Sequence, residues 1–299
     1  MLLFYPDTPD LPLPQGHRFP ASKYSQLRDR LVGRGVLGDW QFTASPPADI
    51  ADLERAHAPD YVHAVLAGTL DPVIQRRIGL PWSETLVRRS RATVGGSLAA
   101  ARQALRDGFS GQLAGGTHHA HRDFGSGYCV FNDLAVAALT LLAEGEIQRI
   151  AVIDLDVHQG DGNAALLTGN PGAFVLSLHG DKNFPFRKVP SDLDIALPDG
   201  TDDRAYLHAL AEALDPIAGF RPDLVLYLSG ADPLGSDTLG RLDLTHEGLI
   251  ERDRLVLEFC RRRGIPVSIA IGGGYADPIS DSVDAYENTF KVAHEVFRG

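Results

Sequence analysis

The chain has 299 residues, 44% of them hydrophobic and 22% charged. That balance excludes general disorder and a fibrous chain, and supports a core that needs no disulfide or metal staple to fold. Its 28 Lys and Arg against 39 Asp and Glu give a net charge of −11, which argues against a nucleic-acid partner, since phosphate contacts need a basic surface.

The two cysteines, Cys129 and Cys260, cannot form a disulfide framework and fit a reducing compartment. The opening Met1–Asp7 stretch has no basic region and no long apolar core, so it is not expected to be a signal peptide. The longest apolar run, 134–143, falls well short of the roughly eighteen residues of a membrane span. The expectation is a cytoplasmic protein with no membrane span.

In chain order, residues 2–5 form a first apolar run. Helical patterns follow over 21–32, 49–56, 59–67 and 83–106, the last opened by Ser83, then over 133–143. Apolar runs recur at 150–156, 173–179, 223–229 and 266–272. Helices are expected between and after them at 202–214, 246–263 (behind Thr245) and 281–297. The stretch 190–199 is polar and punctuated by proline, and reads as a loop. The apolar runs show no alternation, as buried parallel strands require. Strands alternating with helices predict one α/β domain over residues 1–299, with a mostly parallel sheet between helical layers. In such sheets the active site lies at the carboxyl ends of the strands.

Those ends carry ionisable residues. Asp154, Asp156 and His158 recur with period two and point to one side of an extended chain. They form either a metal site or a polar cluster capping the next helix. Asp232, in Gly230-Ala231-Asp232-Pro233, follows another run and reads alone as a turn or cap residue. Together Asp156, His158 and Asp232 suit a catalytic zinc with an open position, and the mixed N/O set also accommodates iron or manganese.

Gly115-Gly116-Thr117-His118-His119 places two histidines in a glycine-rich loop. Asp154 and Asp161 remain to orient one each, as general acid/base chemistry requires. His121 has no assigned partner and is expected in solvent. Gly272-Gly273-Gly274-Tyr275 lets backbone approach a ligand and offers Tyr275 as an oxyanion donor. Tyr128 and Phe184 read equally as an aromatic wall or as ordinary packing. Cys129 reads as a packed apolar residue.

These motifs, in this order from about His17, resemble the zinc-dependent histone deacetylase family with its acetylpolyamine amidohydrolases and acetoin-utilisation proteins. They are the double histidine, Gly-Tyr-Cys-Val-Phe-Asn-Asp (127–133), Asp-Leu-Asp-Val-His-Gln-Gly-Asp-Gly (154–162), Ser-Leu-His (177–179), Gly-Ala-Asp-Pro (230–233) and Gly-Gly-Gly-Tyr (272–275). Residues 77–83 and 179–194 look like the class IV branch and its bacterial relatives.

The resemblance implies an arginase-like three-layer α/β/α fold around an eight-stranded sheet, and a metal on Asp156, His158 and Asp232. By the same matching His118 pairs with Asp154, His119 pairs with Asp161, and Tyr275 polarises the carbonyl. Gly127, Tyr128 and Phe184 form the acyl tunnel. A structural potassium is implied on Asp154, Asp156, His158, Ser177 and Leu178.

Tyr128 stands where many relatives have Phe, and Gln159 where many have a second His. The acidic loop residue that grips peptide substrates in histone-directed members has no clear counterpart.

The expected activity is metal-dependent hydrolysis of an acylated amine, most simply acyl-lysine in a peptide or protein. His119 acts as base and His118 through its charge. Acetylpolyamines and long fatty-acyl lysines are the alternative substrates, and a non-catalytic acyl-lysine reader is the alternative of another class. A binuclear manganese ureohydrolase shares the implied fold but needs more carboxylates than this set provides.

Overall fold

The computed structural model describes residues 1–298 except 34, 36, 38 and 39. The five remaining positions of the expected 1–299 domain, those four and Gly299, lie outside the described residues. Eight strands form one sheet: β1 (Leu2–Tyr5), β2 (Gln41–Ala44), β3 (Phe109–Gln112), β4 (Ile150–Asp154), β5 (Ala173–Gly180), β6 (Leu193–Leu197), β7 (Leu224–Ser229) and β8 (Val267–Ile271). Their order is β2-β1-β3-β8-β7-β4-β5-β6, and every neighbouring pair is parallel. The expected α/β class with a central eight-stranded sheet is therefore observed.

Ten helices are described. They are α1 (Ser22–Gly33), α2 (Ile50–Ala56), α3 (Pro59–Ala67), α4 (Pro72–Ile78), α5 (Glu84–Asp107), α6 (Asp133–Ala143), α7 (Asp161–Leu167), α8 (Asp203–Phe220), α9 (His246–Arg263) and α10 (Ser280–Phe297).

The inner strands β4, β5, β7 and β8 are buried on both faces, which explains their continuous apolar runs. In β4, Ala151 and Ile153 pack with α8, α9 and α10 residues such as Leu210, Leu257 and Phe290. Ile150 and Val152 point the other way, into a cluster with Leu53, Leu98 and Leu134 of α2, α5 and α6. Two helical layers thus sandwich one sheet.

Three expectations are corrected. Residues 190–199 are not wholly a loop: β6 occupies Leu193–Leu197 as the edge strand. Its burial alternates along the strand, and Asp194 with the polar, proline-bearing flanks Pro190-Ser191-Asp192 and Pro198-Asp199 masked its apolar residues Leu193, Ile195 and Leu197. Extended chain after β4 ends at Asp154, so the period-two reading does not carry on to His158. Helix α8 continues past 214 to Phe220. Pro216 lies on its exposed side, where the carbonyl freed by the missing N–H is open to water.

The chain leaves β4 toward β5 and leaves β7 toward β8, in opposite directions across the sheet. The crevice between the ends of β4 and β7 is thus the topological switch point, where open α/β sheets bind ligands. Asp156 follows β4 and Asp232 follows β7.

Candidate metal centre and its cavity

Asp156, His158 and Asp232 meet in that crevice. Each offers one ligand atom, all three atoms lie within 4.8 Å of one another, and all three residues are buried. His158 Nδ1 is 2.9 Å from Asp156 Oδ1 and 3.1 Å from Asp232 Oδ2. The carboxylates are aimed by backbone donors. Val157 N–H donates to Asp232 Oδ1 at 2.9 Å, and Gly273 N–H donates to Asp156 Oδ2 at 2.6 Å. Gly273 is required by close approach, since a Cβ there would lie 1.8 Å from Asp232 Oδ2.

Two buried carboxylates and one imidazole nitrogen make a cluster that demands positive charge. Burial raises the Asp232 carboxyl, and the Asp156 charge beside it raises it further. Burial opposes a charged His158, but the two carboxylates outweigh it and push that imidazole up to about 10. A divalent cation answers the same demand, so the donor set fits one.

The double histidine descends from the loop after β3. Asp133, first residue of α6, accepts from the N–H of Gly116 and Thr117, from Thr117 Oγ1 and from Ser97 Oγ, at 2.6–3.2 Å. This pins the loop. His118 Nδ1 lies 2.8 Å from Asp154 Oδ2, and His119 Nδ1 lies 2.6 Å from Asp161 Oδ1.

The two imidazoles, with ring centroids 4.0 Å apart, are driven in opposite directions. Burial would lower His118, but the Asp154 and Asp156 charges outweigh it and push the ring up to about 9. Burial and the neighbouring His118 charge lower His119 to about 4, against the pull of Asp161. His121 is not the solvent histidine expected: its Nε2 lies 2.9 Å from Asp161 Oδ2, with the side chain 14% exposed. Asp161 therefore faces two histidines.

A cavity of about 820 Å³ opens onto this cluster. Phe184 stands edge-on to His119, ring centroids 4.9 Å apart. Gly127 and Tyr128 form a two-residue turn between Ser126 and Cys129, with φ of 53° and 66°. Gly127 has no alternative, since a Cβ would lie 2.6 Å from His119 Cδ2. Tyr128 tolerates the left-handed backbone because its ring packs on Phe19 (5.3 Å) and Tyr275 (6.1 Å).

Tyr275 lines the same cavity, and burial holds its hydroxyl well above the ordinary phenol range, so it remains a donor. Asp237 accepts from its N–H at 2.6 Å. Ser177 and Leu178 are buried in β5, whose register sets Ser177 beside Asp154.

Sequence reasoning missed four supporting residues. Asp133 and Asp237 pin the two loops just described. Lys23, buried on α1, donates to the carbonyls of Gly272 (3.0 Å) and Gly274 (3.3 Å) and lies 5.2 Å from the Tyr275 ring. Arg252 on α9 is 1% exposed and paired with Asp253 at 2.8 Å. It donates to Gly230 O (2.5 Å), Leu155 O (3.5 Å) and Ser229 Oγ (2.8 Å), bracing both ligand-bearing loops from behind. A legible signal existed for Arg252 alone: it falls in the apolar stripe of Leu249, Val256 and Cys260 at helical spacing.

Residues 17–290 match the model of the histone deacetylase domain. An uncharacterised protein of Picosynechococcus is 45% identical, covering 99% of both chains. Histone deacetylase 2 of Arabidopsis thaliana is 29% identical over 90% of this chain and 73% of its own. The acetoin utilization protein AcuC of Staphylococcus xylosus is 26% identical over 86% of this chain and 73% of its own. The crystal structure of the HDA15 HD domain superposes with a TM-score of 0.79 at 21% identity, covering 99% of this chain and 87% of that one.

Proposed function

The chain belongs to the histone deacetylase family, a family of deacetylase-type hydrolases, and we propose that it hydrolyses the amide of an acylated lysine with one divalent ion held by Asp156, His158 and Asp232. Zinc suits two carboxylates, one imidazole and an open position, and iron or manganese suits the same set. The observation that carries this reading is the convergence of those three side chains in the cavity that also holds His119 and Tyr275.

When bound, the ion supplies Lewis acidity, lowering the pKa of water and polarising the acyl carbonyl. The remaining work falls to the chain. His119, neutral at pH 7, takes the water proton and returns it to the leaving amine. His118, charged and held by Asp154, stabilises negative charge as it develops. Tyr275 donates to the acyl oxygen. Gly127, Tyr128 and Phe184 enclose the lysine alkyl chain, at roughly 0.8 kcal/mol per methylene buried. A structural potassium on the oxygens of Asp154, Asp156, His158, Ser177 and Leu178 belongs to the same reading.

The test is carboxylate release from an acetyl-lysine peptide by metal-loaded protein. Tyr275→Phe is expected to lower kcat about 10²-fold or more, in the range of other oxyanion donors. Asp232→Ala is expected to remove turnover. Full activity in either variant contradicts the assignment.

One observation favours a longer acyl chain as a second reading. Leu11, Phe19, Leu80 and Leu86 line the same large cavity and give it apolar wall beyond what an acetyl group needs. Polyamines are favoured less. The overall −11 charge steers cations toward the protein, but Lys182, Arg187 and Arg241 also line this cavity. Rates on acetyl-, octanoyl- and myristoyl-lysine peptides and on acetylpolyamines separate these substrates.

A further inference from the structure

Arg89 is a buried cation without an anion. It lies on α5, is 8% exposed and lines the cavity that contains the metal cluster. Among the described residues no carboxylate reaches it and no hydrogen bond occupies its N–H groups. Its guanidinium carbon lies 4.3 Å from the Tyr24 ring. Buried arginines are ordinarily paired, because removing the charge from water costs several kcal/mol unless a partner compensates. That cation–π contact engages the face of the guanidinium carbon and leaves its N–H donors without a hydrogen-bond acceptor.

Leu86, Arg89, Ser90 and Thr93 recur at three- and four-residue spacing and share the face of α5 that lines the cavity. Leu11, Phe19 and Leu80 supply apolar wall. A planar cation with two hydroxyl residues on the same helix face, in a cavity with apolar walls, matches a carboxylate carried on a short alkyl chain.

We propose that Arg89, with Ser90 and Thr93, forms a specificity subsite for a carboxylate on the acyl chain, so that dicarboxylic acyl-lysines such as glutaryl-lysine are preferred substrates. The inference rests on the deacylase reading. In the reaction, water adds to the acyl carbon, the amide C–N bond breaks and the leaving amine takes a proton, giving glutarate and free lysine. The apolar wall accommodates the methylenes, and Arg89 receives the distal carboxylate.

Two peptides decide it. One carries glutaryl-lysine. The other carries 5-methylhexanoyl-lysine, in which an isopropyl group of the same shape replaces the carboxylate. Wild-type, metal-loaded protein is expected to favour the glutaryl peptide at least tenfold in kcat/KM. Arg89→Met is expected to bring that ratio below one, and Arg89→Lys to retain a preference of the same sign. Both substrates are measured on the same preparation, so loss of folded protein cancels in the ratio.

A wild-type ratio of one or less, or an unchanged ratio in Arg89→Met, overturns the proposal. So does Arg89-dependent inhibition by acetate without any glutaryl preference, since the arginine would then serve the released product. If no acyl-lysine is turned over, acetyl-lysine included, the deacylase reading itself has failed. Calorimetry of free glutarate then judges the subsite alone: tenfold weaker binding in Arg89→Met supports it, and equal binding rejects it.

Discussion

Adjacent histidines of identical chemistry are separated here by their surroundings. His118 touches two carboxylates within 4 Å and is pushed up to about 9, whereas His119 touches one and feels the His118 charge, and falls to about 4. Asp161 fixes His119 and His121 together, so Asp161→Asn is expected to lower kcat about 10²-fold while metal content stays constant. Loss of the metal along with activity would contradict a role confined to the histidines.

A third histidine bears on stability. His57 is fully buried, with Nδ1 2.8 Å from His121 O and Nε2 accepting from Asn132 N–H at 2.9 Å. Burial lowers it to about 4 from an ordinary 6.5. The unfolded chain therefore binds the proton first. Stability is complete above about pH 6.5 and is lost as pH falls toward 4, by roughly 3 kcal/mol. Denaturant titrations at pH 7 and pH 4.5 check this: His57→Gln is expected to flatten the pH slope, and an unchanged slope places the effect elsewhere.

At the scale of elements, the sequence disclosed most where apolar content was dense. β4, β5, β7 and β8 announce themselves as unbroken apolar runs. β3, Phe-Ser-Gly-Gln, is wholly buried yet polar: Gln112 donates to Thr93 O (2.8 Å) and accepts from Ser45 (3.0 Å), and Ser110 donates to Leu2 O (2.6 Å). A strand satisfied by side-chain hydrogen bonds leaves no hydrophobic signature. The charged or polar residues at strand ends were legible as a site because burial of such groups demands partners. Lys23 and Asp133 were not, since a lone lysine on a helix and an acid at a helix start look like solvent-exposed residues.

Arg252 and Asp253 tie α9 to the ends of β4 and β7, with Tyr227 and Thr289 also donating to Asp253. Arg252→Met leaves the Asp253 charge buried and is expected to cost about 3–5 kcal/mol of stability. The double variant Arg252→Met, Asp253→Leu recovers part of it. Equal unfolding free energies for wild type and single variant would refute the brace.

For the whole molecule, the parallel sheet brings every proposed reacting group to one edge. Asp156 and His158 follow β4, Asp232 follows β7, the histidines follow β3 and Tyr275 follows β8. Among the described residues no helix is long and apolar enough to cross a membrane. Because the ligands come from separate strands, the ion binds the folded chain and not the unfolded one. At a hundredfold excess over its Kd it is expected to add about 2.7 kcal/mol of stability, seen as a rise in Tm that a chelator reverses and Asp232→Ala abolishes. A chelator-insensitive Tm would argue that the cluster holds no ion.

The central claim is that three side chains share a single divalent cation. Elemental analysis of purified, metal-equilibrated protein tests it most directly. The predicted result is one ion per chain in the wild type and none in Asp156→Asn, Asp232→Asn. Two ions per chain, or one retained after both carboxylates are removed, would contradict it.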